Sequence, residues 1–392
     1  MFKIMVLNKI SEQGLSQLPS NLYEISDNFT EPDAILVRSA DMHQLKIPES
    51  VLMVGRAGVG VNNIPIAYLT DRGVPVFNTP SANSNAVREL VIAAMLLASR
   101  NICSAWNFVN ELNLSDEDLT REVEQSKSRF VGTELAGKTL GVIGLGNVGV
   151  KVANAAIALG MRVIGYDTFM NVERAWELSA NVEKAASLDS LYAQADFLTI
   201  HVTLSKETAG FINHQALNAM KKGVVILNFS RTEIVDNSAL NDALHEEKIG
   251  FYVSDFPNVA LKNHPRVIFL PHLGASTKEA EENCAIMIVR QMRQFLETGS
   301  LCNSVNFPSL ITPLPPGQNR IVIVNRNIPN MVAQITAKLG DSGVNINHLA
   351  NVSRDTIAYT LVDINADIEN GLIDEIAAIN GVLNIRIIPE IR

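Results

Sequence analysis

The hydrophobic positions fall in short runs separated by stretches with helical spacing. Four runs lie in the first eighty residues: FKIMVL from Phe2, AILV at 34 to 37, VLMV at 51 to 54 and VPVF at 74 to 77. A denser series begins at 139, with TLGVI, RVIGY (162 to 166), FLTIHV (197 to 202), VVILN (224 to 228), GFYVS (250 to 254) and VIFL (267 to 270). Unbroken apolar runs suit strands covered on both faces, and their alternation with helical segments predicts parallel α/β sheets. The expected fold class is thus α/β, with two doubly wound parallel-sheet domains.

Between the two series, Ala86 to about Lys127 opens apolar as VRELVIAAMLLASR and turns acidic at SDEDLTREVE, predicting a long helix and then a solvated helical connection. After the second series, Ser276 and Glu279 stand at capping-box spacing, and Cys284, Ile288, Met292 and Phe295 recur at helical intervals. Such a helix can return the chain to the first domain. Residues 1–100 and 288–306 are therefore expected to form one discontinuous domain, with 101–287 inserted. The stretch 307–319 carries four prolines between Pro308 and Pro316 and reads as a linker. Residues 320–392 then follow a βαββαβ, ferredoxin-like order.

Composition narrows the function. Thirty-two Lys and Arg against forty-one Asp and Glu give a net charge of −9, with no basic face for nucleic acid. An apolar fraction of 47% with 19% charged residues suits packed cores, not a disordered chain. The longest apolar run, Leu90 to Ala98, is far short of the roughly 18 residues a membrane span requires, and MFKIMVLNKI lacks a signal-peptide layout. A cytoplasmic protein without a membrane partner is expected. Cys103, Cys284 and Cys302 have no close spacing, so neither a disulfide framework nor a metal site is predicted.

The chemistry concentrates at the ends of the strands. Gly144, Gly146 and Gly149 form G-x-G-x-x-G directly after TLGVI and at the start of a helical stretch. The first glycine permits a tight turn, the second lets pyrophosphate approach the backbone, and the third lets helix and strand pack closely. Asp167 ends the next strand, where a carboxylate accepts hydrogen bonds from ribose hydroxyls and repels a 2′-phosphate, favouring NAD over NADP. Arg231 follows VVILNFS and His272 follows VIFLP. A hydroxy-acid dehydrogenase needs a bidentate cation for the carboxylate and a base for the hydroxyl proton, and these residue types supply both. In the first series, Arg38 and Arg56 also follow strands; with Gly58 in GVGVNN and the helix start near Ala86 they make a candidate anion pocket. Two surface cations or local salt bridges are the alternative reading of the same arginines.

These motifs, with FNTPSANS, GTELAGK, PHLGAST and SVNFP, resemble the D-2-hydroxyacid dehydrogenases over nearly the whole chain. The likeness is greatest to their D-3-phosphoglycerate dehydrogenase branch with a C-terminal ACT domain. The resemblance implies a Rossmann NAD domain inserted in a flavodoxin-like substrate domain, an ACT domain over 320–392, and a homodimer or homotetramer. It implies NAD-dependent oxidation of 3-phosphoglycerate to 3-phosphohydroxypyruvate, the first step of the phosphorylated route to serine. Arg231 and His272 match its catalytic positions. Asn147, Val148, Thr203, Phe229, Ser230, Asp255 and Gly274 match cofactor-contacting ones. Arg38, Arg56, Gly58, Asn83 and Ser84 match positions about the substrate. In the ACT segment, Asn327 and Asn345 match positions that bind L-serine in regulated relatives, so serine or another amino acid is the effector the resemblance implies.

The chain also departs from the pattern. Val259 stands where the family carries a catalytic Glu, so His272 either recruits another acid, such as Asp255 or Glu233, or works as a weaker base. Thr232 and Glu233 replace the glycine that usually follows the arginine, and Ser254 and Asp255 replace an Asp-Val order. Asn325 replaces a regulatory His, and Asn330 the glycine of a Pro-Gly turn. Two other functions fit the same residues: a sister enzyme of the glyoxylate or hydroxypyruvate reductase type, and a non-catalytic NAD sensor.

Overall fold

A computed structural model describes residues 1–365, 368 and 370–389; the last three residues of the predicted ACT segment lie outside them. The chain divides into two compact units, one of residues 1–83 and 281–392, the other of residues 84–280.

In the first unit, β1 (Phe2–Val6), β2 (Tyr23–Ser26), β3 (Ala34–Val37), β4 (Met53–Arg56) and β5 (Val76–Phe77) form a parallel sheet in the order β2-β1-β3-β4-β5. This is the flavodoxin-like order. Every residue of AILV in β3 is buried, as a central strand covered on both faces requires.

The second unit carries β6 (Thr139–Ile143), β7 (Arg162–Tyr166), β8 (Glu183–Lys184), β9 (Phe197–Ile200), β10 (Val224–Asn228), β11 (Ile249–Ser254) and β12 (Val267–Phe269). They pair in parallel as β12-β11-β10-β9-β6-β7-β8, a doubly wound sheet in which β6 lies between β9 and β7. The helix Ser84–Ser99 belongs to this unit, although its sequence position suggested the first: Val87, Val91, Ala94 and Met95 are buried in one cluster with Val150, Val152 and Ala153 of the helix Asn147–Ala158. The return crossing likewise falls after Ala280, not 287. Thr277, rather than Ser276, caps the returning helix Lys278–Thr298, its hydroxyl accepting from the Ala280 N–H at 3.1 Å. The acidic connection forms the helices Ile102–Glu111 and Asp116–Ser126. No helix among the described residues is long and apolar enough to cross a membrane.

The C-terminal segment folds as β13 (Asn319–Arg326), β14 (Ile346–Arg354), β15 (Ile357–Ile364) and β16 (Val382–Ile388), all pairings antiparallel, in the order β14-β15-β13-β16. With the helices Met331–Asp341 and Asn370–Ala377 this is the expected ferredoxin-like topology. Both faces of its sheet are apolar. Ile321 and Ile323 pack with those two helices, while Val322 and Val324 turn the other way, into a core shared with Ile288, Met292 and Phe295. Alternation with period two therefore buries all eight residues of β15.

That second face also grips the end of the helix Lys278–Thr298, whose last carbonyls have no intrahelical donor. Arg386 donates to the Phe295 and Leu296 carbonyls and stacks 4.2 Å from the Phe295 ring centre. Arg320 donates to the Thr298 carbonyl at 2.6 Å and the Tyr359 hydroxyl to the Gly299 carbonyl at 2.6 Å. Arg320, wholly buried, is balanced by bidentate pairing with Asp363 at 2.6 and 2.8 Å. Residues 307–318 of the proline stretch contain no helix or strand beyond the isolated Leu301–Leu310 bridge, but they are tied down: Thr312 and Pro313 carbonyls accept from Arg320, and Phe307 is buried.

Candidate active site

The candidate residues are divided between the units. Arg38, Arg56, Gly58, Asn83, Asn327 and Asn345 lie in the first, and the remainder in the second.

The second unit gathers its candidates along the carboxyl edge of one parallel sheet, where a doubly wound fold binds its ligands. At the end of β6, Gly144 takes φ +89°, and a Cβ there would lie 2.6 Å from the His201 carbonyl oxygen. A Cβ on Gly149 would lie 1.9 Å from the Gly144 carbonyl oxygen, so only glycine lets the helix Asn147–Ala158 start this close to the strand. Around Gly146 a Cβ would meet nothing within 4 Å, leaving an open approach to the helix N-terminus. The Asn147 Oδ1, nearby, has no partner among the described residues. Asp167, after β7, accepts the Leu145 N–H at 2.7 Å and the Phe169 N–H at 2.8 Å, which orients the carboxylate and leaves acceptor capacity for hydroxyls. An open glycine turn, an orphaned buried oxygen and an oriented carboxylate fit a dinucleotide with free ribose hydroxyls.

Further along the edge, Ser230 donates to the Ile200 carbonyl at 2.7 Å, and the exposed Arg231 donates to the Ser230 carbonyl at 2.7 Å. The fully buried Asn228 donates to the Arg231 carbonyl at 2.9 Å and to the Tyr252 hydroxyl at 3.2 Å. Phe229 is buried, while Thr203, on the loop after β9, offers its carbonyl to Thr208 at 2.7 Å. After β12, His272 is exposed and takes φ +51°. Its N–H donates to the Asp255 carbonyl at 2.9 Å, and its ring centre lies 4.9 Å from that of Phe256. Asp255 is buried; its Oδ2 accepts the Gly274 N–H at 3.0 Å and its Oδ1 has no partner among the described residues. Burial raises the Asp255 carboxyl above its ordinary range, against the pull of the Gly274 N–H, His272 and Arg231. Val259 is 86% exposed, and Glu233 is exposed on the turn Thr232–Ile234. The Ser84 hydroxyl is buried with no partner among the described residues. Val148 lies in the first turn of its helix.

In the first unit, Arg38 pairs with Glu281 at 2.7 Å, and this pairing holds the Glu281 carboxyl below its usual range. Arg56 donates to the Arg38 carbonyl at 3.0 Å and to the Gly60 carbonyl. A Cβ on Gly58 would lie 2.9 Å from the Arg56 guanidinium. The two arginines are thus neighbours, each with local partners, and Glu281 is a member of the group that strand-end reading missed because it comes from a distant helix. His201 was missed too: its ring bonds the Thr199 hydroxyl at 2.9 Å, and desolvation lowers its pKa to about 4. Asn327 donates to the Asp355 carbonyl at 3.1 Å, whereas Asn345 is exposed, 3.5 Å from Asn347 Oδ1. Asn330 takes φ +71°, so the residue replacing glycine keeps the left-handed backbone, which Asn tolerates better than most.

Residues 92–274 match the family model for the D-isomer specific 2-hydroxyacid dehydrogenase, NAD binding domain. A D-3-phosphoglycerate dehydrogenase of Bacillus subtilis (strain 168) is 35% identical over 79% of this chain and 60% of its own length. One from Dictyostelium discoideum is 28% identical over 98% of this chain and 97% of its own. The chain spans about 60% of the length of several such relatives. Among solved structures, an NAD+-bound 3-phosphoglycerate dehydrogenase of Entamoeba histolytica aligns with TM-score 0.61 at 25% identity, covering 79% of this chain and 99% of that one. A glyoxylate reductase from Paecilomyes thermophila aligns with TM-score 0.63 at 25% identity, covering 78% and 98%.

Proposed function

We propose that the chain is a D-isomer specific 2-hydroxyacid dehydrogenase, whose NAD binding domain its residues 92–274 match, and that it oxidises 3-phosphoglycerate to 3-phosphohydroxypyruvate. The observation that carries this reading is the order along one sheet edge: the glycine turn, Asp167, Arg231 and His272. The turn and Asp167 would hold NAD, which when bound accepts the hydride from the carbon bearing the hydroxyl. Arg231, tethered through its carbonyl to Asn228, presents its guanidinium to the substrate carboxylate. His272 takes the hydroxyl proton at an imidazole nitrogen and returns it in the reverse direction. Arg38 and Arg56 are the cations proposed for the phosphate. Asn83 and Ser84 are proposed at the loop over the substrate. The enzyme is proposed to act in the cytoplasm as a homodimer or homotetramer, its C-terminal sheet an ACT module binding L-serine or another amino acid near Asn327 and Asn345.

A second reading has its own support: the pairing of Arg38 with Glu281 engages one of the two phosphate-seeking cations, which favours an unphosphorylated acid of the glyoxylate or hydroxypyruvate type. NADH consumption measured with 3-phosphohydroxypyruvate, hydroxypyruvate, glyoxylate and pyruvate separates the two. Fast turnover on the phosphorylated acid, lost in His272→Ala and cut at least about tenfold in Arg38→Ala or Arg56→Ala, supports the first. Turnover restricted to unphosphorylated acids establishes the second, and NADH binding without turnover on any acid leaves an NAD sensor.

A further inference from the structure

Val259 leaves His272 without the carboxylate that its relatives' pattern places there, and its side chain is turned out to solvent. A different acid lies against the same turn. Asp255, at the end of β11, accepts the His272 N–H with its own carbonyl at 2.9 Å and the Gly274 N–H with its carboxylate at 3.0 Å. One residue therefore holds the backbone on both sides of the imidazole. The grip accounts for a His in the left-handed region, φ +51°, a conformation that persists in a bulky residue only where its surroundings impose it. Phe256, next in the chain, sets its ring against the imidazole, which confines the ring's swing.

We propose that Asp255 is the positioning residue for His272: it fixes the turn that presents the imidazole and supplies the negative charge that position 259 lacks. This rests on the proposed role of His272 as the proton acceptor. Four groups face the carboxylate: the Gly274 N–H on the same turn, His272, Arg231 from the end of β10, and Tyr252 of β11, whose phenol the carboxylate helps to raise. Of these five residues Asp255 alone carries a carboxyl. Oδ1 has no hydrogen-bond partner among the described residues and the group is buried, so when ionised its charge is poorly screened and acts at short range. Glu233 is exposed on another turn, Thr232–Ile234.

The test is titration of the His272 imidazole by nitrogen-detected NMR in the ligand-free protein, wild type against Asp255→Asn. The amide keeps an acceptor for Gly274 and removes the charge. The expected result is a His272 pKa lower by about one unit. In enzyme assays the acidic limb of kcat/KM for oxidation moves down by the same amount, and kcat at neutral pH drops about tenfold while KM changes less than about twofold. An imidazole pKa within about 0.2 units of wild type overturns the proposal, since charge support of this kind shifts a pKa by about a unit or more. Should Asp255→Asn fail to fold, His272→Asn exchanges an exposed side chain for one that accepts the left-handed backbone. The Asp255 carboxyl, followed by carbon NMR, must then titrate at higher pH than in wild type, and an unmoved carboxyl again overturns the proposal. Neither titration uses a substrate, so absent turnover on phosphorylated acids undermines the proposed reaction without touching this result.

Discussion

Two turns on the edge of one sheet, after β6 and after β12, each hold a residue in the left-handed region. Gly144 does so at φ +89° because a side chain there would meet the His201 carbonyl, and Gly149 is excluded from having one by the Gly144 carbonyl. The turn is shaped by the absence of atoms. His272 does so at φ +51° with a full imidazole, held from a neighbouring strand by the carbonyl and carboxylate of Asp255. A turn that binds by its backbone can be built from one stretch of chain. One that must present a side chain needs an outside grip.

The strongest challenge to this contrast is Gly149→Ala. With a Cβ only 1.9 Å from a backbone oxygen, the variant should lose at least about 3 kcal/mol of stability and its NADH binding together. Wild-type NADH affinity, measured by fluorescence titration, would show that the turn tolerates atoms after all. Next in size is the response of the first turn's support to acid. Desolvation places the folded-state pKa of His201 near 4, below its unfolded value, so the unfolded chain binds the extra proton between them. Stability from this group is complete above about pH 6.5 and is lost as pH falls toward 4, by up to about 3 kcal/mol. Thermal melts of His201→Gln should show a shallower decline over that window, and parallel declines would discount the effect.

Asp167→Asn sharpens the comparison at the binding turn, where the carboxylate holds two backbone N–H groups as Asp255 holds one. The neutral amide should weaken NADH about tenfold, read by the same titration, with little change in kcat. The smallest effect is expected from His272→Gly. Removing the side chain from a left-handed position should raise stability by about 0.5–1 kcal/mol in chemical denaturation while turnover disappears. A destabilised variant would mean that the imidazole's packing on Phe256 outweighs the backbone strain.

The same contrast explains what was legible in the sequence. Central strands such as AILV and VVILN are buried at every position, and their runs announce them. The edge strands β2 and β8, YEIS and EK, are largely exposed, so no apolar run marks them. The glycine turn was readable because its constraint is local: Gly144 answers to the His201 carbonyl beyond the adjacent strand and Gly149 to the Gly144 carbonyl within the motif. Arg231 and His272 were singled out by their position after strands and Asp255 as a candidate acid, but the backbone bonds that tie Asp255 to the His272 turn were not legible. Asn228 reads as the end of an apolar run, and nothing local to the sequence shows it bonding the Arg231 carbonyl. Glu281 meets Arg38 across 243 positions of chain, a pairing only the fold creates. The cap at Thr277 in place of Ser276 shows the ordinary one-residue ambiguity of helix ends.

The grip of the C-terminal sheet on the helix Lys278–Thr298 has a consequence for how the protein comes apart. Arg386, Arg320 and Tyr359 complete the helix's last carbonyls, while Val322, Val324 and Leu361 share its apolar core. Cutting the chain near 319 would strand those carbonyls and bare that core, so the cut product should be sticky and readily digested by protease rather than a tidy, shorter enzyme. In denaturant the ferredoxin-like segment and the flavodoxin-like sheet should melt in a single transition, behaving as one cooperative block although the chain between them looks like a hinge.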